Sequence, residues 1–146
     1  MAGKILDSFD TLIANLQQNA GYASKSVNDA LMQSMQLIQK ESIARAPVEH
    51  GDLERAIKLS NDGYRKSWSV YVDMTMPDNT GKYTIGDYAP WLHDGQYKLG
   101  PASEAKNSSG KVGRKFLEGP FQEAVDAGLT DSLQKILNDA ISSRGY

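Results

Sequence analysis

Twelve consecutive residues, Ala46-Pro47-Val48-Glu49-His50-Gly51-Asp52-Leu53-Glu54-Arg55-Ala56-Ile57, constrain this chain more than any other stretch. Helical periodicity runs up to them and strand-like alternation follows. Pro47 disfavours helical geometry at Ala46, so the preceding helix ends there. Gly51 admits a positive φ and lets the chain reverse. Asp52 is then placed to cap a short turn of helix over 53–57 before a sheet begins. As structure this is a helix-to-strand hinge, and as surface it is a stiff polar loop suited to docking.

Upstream, Ile5, Leu6, Phe9, Leu12, Ile13 and Leu16 recur at spacings of one, three and four, which predicts one apolar face of a helix over 4–17. A second helix carries Val27, Ala30, Leu31, Ser34, Met35, Ile38 and Ser42 on one side, a face expected to pack on a sheet. Downstream, 58–60 reads as a first strand and Asn61-Asp62-Gly63 as a turn. Trp68, Val70, Val72 and Met74 alternate with Ser67, Ser69, Tyr71 and Asp73, the clearest strand in the chain. Pro77-Asp78-Asn79-Thr80-Gly81 ends it with strong turn chemistry. The stretch 83–85 is too short to assign, and Pro90 argues for either an edge strand or a turn into a helical stub. Residues 99–115, with Gly100-Pro101, Asn107-Ser108-Ser109-Gly110 and Gly113, are expected to be irregular and mobile. A last helix runs from Phe116 to about Ser143, with a kink at Gly128 or a restart at Thr130.

A chain of 146 residues is long enough for one core and too short for two. Its net charge of −2 gives no global attraction to nucleic acid or anionic membrane, and no apolar run approaches membrane-spanning length. The opening Met1-Ala2-Gly3-Lys4 leads into an amphipathic segment rather than a signal peptide. The absence of cysteine removes disulfides and thiolate metal sites and fits a cytosolic origin.

Chemistry-bearing residues are sparse. Glu49, His50 and Asp52 cluster in the hinge, and His93 with Asp94 forms a second polar pair. Together they offer ligands for zinc or acid–base groups if folding unites them, yet no metal-ligand spacing is present. No phosphate-binding glycine loop and no Gly-x-Ser-x-Gly elbow occurs, so the expectation is no enzyme, no cofactor and no metal. Lys106, Lys111, Arg114 and Lys115 form the one basic cluster; without interleaved aromatics it does not predict base stacking, and a solvated loop is the simpler reading.

Three blocks, in order, resemble the neck and tail-completion (minor tail component) family of long-tailed bacteriophages. The family's Ala-Pro-Val-x-Thr-Gly-x-Leu-x-x-Ser-Ile motif is matched by residues 46–57, with His50 in place of Thr and Ala56 in place of Ser. Its Tyr-Ala block running to an acidic-Gly turn is similar to Asp87-Tyr88-Ala89-Pro90-Trp91-Leu92-His93-Asp94-Gly95, with Asp94 where Glu is common. Its Phe-Leu block opening the last helix is similar to Arg114-Lys115-Phe116-Leu117-Glu118-Gly119-Pro120-Phe121.

The resemblance implies a structural virion protein at the head–tail joint, assembled in the host cytoplasm. It would form a homo-oligomeric ring, a hexamer favoured over a dodecamer, between head-completion or connector proteins and tail proteins. DNA would pass through the lumen without being read, and no membrane is involved. Alternatives are a tail-terminator ring and, from another class, a small cytosolic nucleic-acid-binding regulator using the basic loop. Interface candidates are Glu49, His50, Asp52, Tyr88, Trp91, Asp94, Lys106, Lys111, Arg114 and Lys115. The expected fold is α+β: a three- to four-stranded antiparallel sheet packed against two long helices, with an additional N-terminal helix. The whole is one domain, with a helical arm over 1–20 and a core over 24–146.

Overall fold

Helix α1, Ser24–Arg45, is the scaffold on which the rest is laid. Leu31, Met35, Ile38, Ser42 and Arg45 are buried at alternating spacings of four and three, which is one helical face. In this computed structural model residues 24–62 and 67–142 are described; the helix expected over 4–17 and the whole of the arm expected over 1–20 lie outside them. The helix ends at Arg45, with the Ala46 N–H still bonded to the Ser42 carbonyl, immediately before Pro47.

The chain then reverses at Gly51, whose φ of 80° lies in the left-handed region. Helix α2, Asp52–Ala56, follows one residue earlier than expected. Its capping position is Gly51, not Asp52, and no side chain caps it. Asp52 instead turns its carboxylate to the Arg55 guanidinium and the Asn79 N–H, tying the hinge to the turn at 78–80. Gly51→Val should cost about 1–2 kcal/mol, because the left-handed conformation disfavours a β-branched side chain. The neighbouring Arg55 side chain, 3.1 Å from where Cβ would sit, can swing aside, so backbone strain dominates. A thermal melt within experimental error of the native protein would remove that argument.

Strands β1, Ile57–Asp62, and β2, Ser67–Val72, pair antiparallel with Leu59 opposite Val70 and Asn61 opposite Trp68. Ile57, Leu59, Trp68, Val70 and Val72 face inward, while Ser60 and Ser69 face out. Among the described residues the sheet has these two strands, where three or four were expected. The third candidate stops at a single bridge between Pro77 and Thr84. Pro77 has no N–H to donate, and the Asp78 and Thr80 side chains take the N–H groups of Thr80 and Lys82, closing turns instead of a ladder. Beyond a 3₁₀ turn at Ile85–Asp87, Pro90 lies in the first turn of helix α3, Ala89–Asp94, so the helical-stub alternative holds.

The stretch 99–115, expected to be irregular, carries helix α4, Pro101–Lys106, and several long-range anchors described below. The last helix, expected from Phe116 with a kink at Gly128 or a restart at Thr130, is interrupted where Gly128 takes φ 95°, giving α5, Glu118–Asp126, and α6, Leu129–Ser142. Of the two long helices expected on the sheet, α1 packs against both strands, whereas the second is a broken pair that packs chiefly on α1.

Two apolar clusters share the interior. Leu31, Met35 and Ile38 meet Leu133, with Leu59, Trp68, Val70, Val125 and Leu129 around them. The second joins Ala46, Leu53, Ala56 and Ile57 to Ile85, Ala89 and Phe116. Val72, on the same face of β2 as Val70, packs on this second cluster, while Val70 packs on both. Among the described residues no helix is long and apolar enough to cross a membrane.

Candidate functional site

The second cluster brings three distant stretches together. Residues 46–57 supply Ala46, Leu53, Ala56 and Ile57, residues 87–95 supply Ala89, and residues 114–121 supply Phe116. Backbone bonds add to this: the Lys115 N–H donates to the His93 carbonyl at 2.7 Å, and, just outside the first and third stretches, the Gly113 N–H donates to the Arg45 carbonyl at 2.8 Å. Polar candidates are arranged around this apolar centre in two main groups.

The first group lines an open groove of about 870 Å³ between the 47–52 loop, the 78–80 turn, α3 and residues 97–103. Glu49, His50, Asp52, Tyr88 and Trp91, half of the candidates, all lie on it. Asp52 is buried at its floor and Glu49 is exposed at its lip, with His50 Nε2 3.5 Å from the Glu49 carboxylate. Burial raises the Tyr88 phenol above its ordinary value, and the carboxylates of Asp52, Asp78 and Glu49 add to this while Arg55 opposes it. Among the members that sequence reasoning missed are Asp78, Tyr97, Lys98 and Ser103. Ser103 was discoverable only through its partner, since its hydroxyl bridges the Val48 backbone, accepting from the N–H at 2.8 Å and donating to the carbonyl at 3.1 Å.

The second group lies at the C-terminal end of α3. His93 packs edge-on against Phe116, with ring centroids 5.1 Å apart. Its Nε2 accepts the Glu118 N–H at 3.2 Å, which leaves Nδ1 to carry the hydrogen facing Asp94, 2.9 Å away. Lys115 reaches Asp94 at 2.6 Å and Glu118 at 3.3 Å, and Arg114 donates to the Asp94 carbonyl. His50 and His93 thus go to different places. Among the described residues no group of three or more His, Cys, Asp or Glu side chains is arranged to hold a metal ion.

The Lys115 ammonium, and after it the His93 ring, hold the Asp94 carboxyl at about 2 against an ordinary 3.8. A depressed folded-state value means the carboxylate's contribution is fully present above pH 3.8 and fades as pH falls towards 2. Asp94 is exposed, so solvent screens the effect and it is small. The expected result is a lower urea midpoint for Asp94→Asn at pH 7 that merges with the native midpoint at pH 2. A gap that persists unchanged at pH 2 would mean the charge is not its source.

The remaining two cations are separate from both groups and from each other. Lys106 donates to the Ile43 carbonyl at 2.9 Å and pairs with Glu54 at 3.2 Å, closing the end of α1. Lys111 lies 3.6 Å from Glu123, whose carboxylate also takes both terminal nitrogens of the buried Arg45. The basic cluster of the sequence is therefore not a cluster in space: its members brace the segment 99–115 against the rest of the fold. Comparison with protein-family models, with curated proteins and with solved structures finds no match to this chain.

Proposed function

We propose that this chain is a structural, ring-forming protein of a tailed phage, acting at the joint between head and tail as a neck or tail-completion component. The observation that supports this reading is the convergence of the three blocks that carry the resemblance. Separated by 29 and 18 residues in sequence, they contribute to one apolar cluster, and the second and third are joined by the backbone bond from Lys115 to His93. Around that shared centre lie the polar groups expected to face neighbours.

The nucleic-acid-binding alternative loses its principal support. Lys106, Lys111 and Lys115 each have a carboxylate of this chain within 3.6 Å, so phosphates would have to compete for them. A ring requires a head-to-tail interface whose rotation closes. The test is the native mass of the purified protein. Particles of six or twelve 16.0 kDa chains are the expected result, and a monomer or dimer at high protein concentration speaks against the ring.

A further inference from the structure

The groove beside the hinge combines an exposed aromatic face with uncompensated negative charge. We propose that it is a docking site for a basic side chain, arginine above all, presented on an extended segment of a partner protein. The inference does not depend on the ring reading, since any partner could present such a segment.

The aromatic part is preset. Trp91 is 56% exposed, yet its ring is held on one side by Tyr97, with centroids 4.9 Å apart and planes tilted by 32°. The Tyr97 hydroxyl donates to the Leu92 carbonyl, which fixes that ring relative to α3. Gly95 completes the support: a Cβ there would meet the Trp91 carbonyl oxygen at 2.6 Å and its Nε1 at 3.0 Å, so only glycine lets the indole lie back over the turn. A large apolar ring is thus fixed at the surface without being covered. Tryptophan faces are the preferred aromatic partners of guanidinium and ammonium groups.

The charge selects the ligand. Three carboxylates line the groove, Glu49, Asp52 and Asp78, against one ammonium, Lys98. Asp52 is already engaged by Arg55 and the Asn79 N–H. Glu49, with 88% of its side chain exposed, has only His50 beside it. Asp78 accepts from the Thr80 N–H and hydroxyl of its own turn. Among the described residues neither Glu49 nor Asp78 is paired with a Lys or Arg. A planar guanidinium can lie on the indole while donating to a carboxylate, which a compact ammonium does less well. Phosphate or an acidic peptide meets repulsion from the same two carboxylates, and a neutral segment gains only the apolar contact.

The probe is the blocked peptide acetyl-Gly-Ala-Arg-Ala-Gly-amide, with control peptides carrying glutamine or glutamate in place of arginine. Binding to the full chain is followed through the two tryptophan indole N–H resonances. Trp68 is bonded to Asn28 within the core and serves as the internal reference. The expected result is a saturable shift of the Trp91 resonance at millimolar arginine peptide, about tenfold tighter than with the glutamine peptide and absent with glutamate. The double variant Glu49→Gln, Asp78→Asn should lower the arginine affinity about tenfold while leaving the Trp68 resonance and the melting temperature in place. Equal affinity for the arginine and glutamine peptides overturns the proposal, as does an unchanged affinity in the folded double variant. So does a Trp91 resonance that moves with protein concentration alone, which would assign the groove to a second copy of this chain.

Discussion

Val70→Asp is expected to abolish the folded state. Val70 stands opposite Leu59 in the two-stranded sheet and packs into both apolar clusters, the one strand residue among the described residues through which the two communicate. Val70 is partly buried, and placing a carboxylate against two apolar clusters costs several kcal/mol unless it finds a partner. Against a total stability of about 5–15 kcal/mol, and with both clusters disturbed, that is enough to unfold a domain of this size. Near-UV dichroism should be lost and the cooperative melt should vanish. Ser69→Asp is the control: its side chain points to the opposite face, across from Ser60, and should change stability by no more than about 0.5 kcal/mol. If Ser69→Asp unfolds the chain and Val70→Asp does not, the inward and outward faces of β2 have been exchanged.

That register was legible from alternation alone, because a strand with one wet face must repeat every two residues. The hinge was legible for a different reason: Pro47 and Gly51 restrict or extend the backbone locally, whatever surrounds them. What the pattern could not carry is the choice between partners. Val72 follows Val70 in the same alternation, yet it packs on the second cluster because the strand runs on past the end of α1. The segment 99–115 reads as loop because its anchors are single side chains meeting backbone far away. Ser103 and Val48 are 55 residues apart, and Lys106 and Ile43 are 63 apart. No local periodicity encodes such bonds. The same holds for the groove. Trp91 and Tyr88 drew notice as members of a motif, whereas Tyr97 and Asp78 join them only through the turn at Gly95 and the tether from Asp52 to Asn79. Charge spacing was equally silent about partners: of four cations within ten residues, read most simply as a solvated loop, three go to carboxylates in different places and Arg114 goes to the Asp94 backbone carbonyl.

Phe116→Ala should cost about 3–5 kcal/mol, because a buried phenylalanine leaves both lost transfer energy and a cavity behind. Phe116 is 1% exposed and is the largest fully buried side chain among the described residues. Its neighbours come from every part of the second cluster: Ala46 at the end of α1, Ile85 in the 3₁₀ turn, Ala89 in α3. At about 2–4 °C per kcal/mol, the melting temperature should fall by about 6–20 °C. The effect should also travel to the groove. The ring is the wall against which His93 rests, and His93 shares the six-residue helix α3 with Trp91. Removing that wall frees one side of α3, so the Trp91 indole resonance should shift or broaden in Phe116→Ala and do so less in Phe116→Leu, which keeps more of the volume. Two results separate packing from hydrogen bonding as the force that holds α3. A large stability loss with an unmoved Trp91 would mean that the bonds from Lys115 and Glu118 to His93 hold the helix without the ring. A loss below about 1 kcal/mol would mean that the cluster collapses into the cavity, and that Phe116 fills the centre without supporting it.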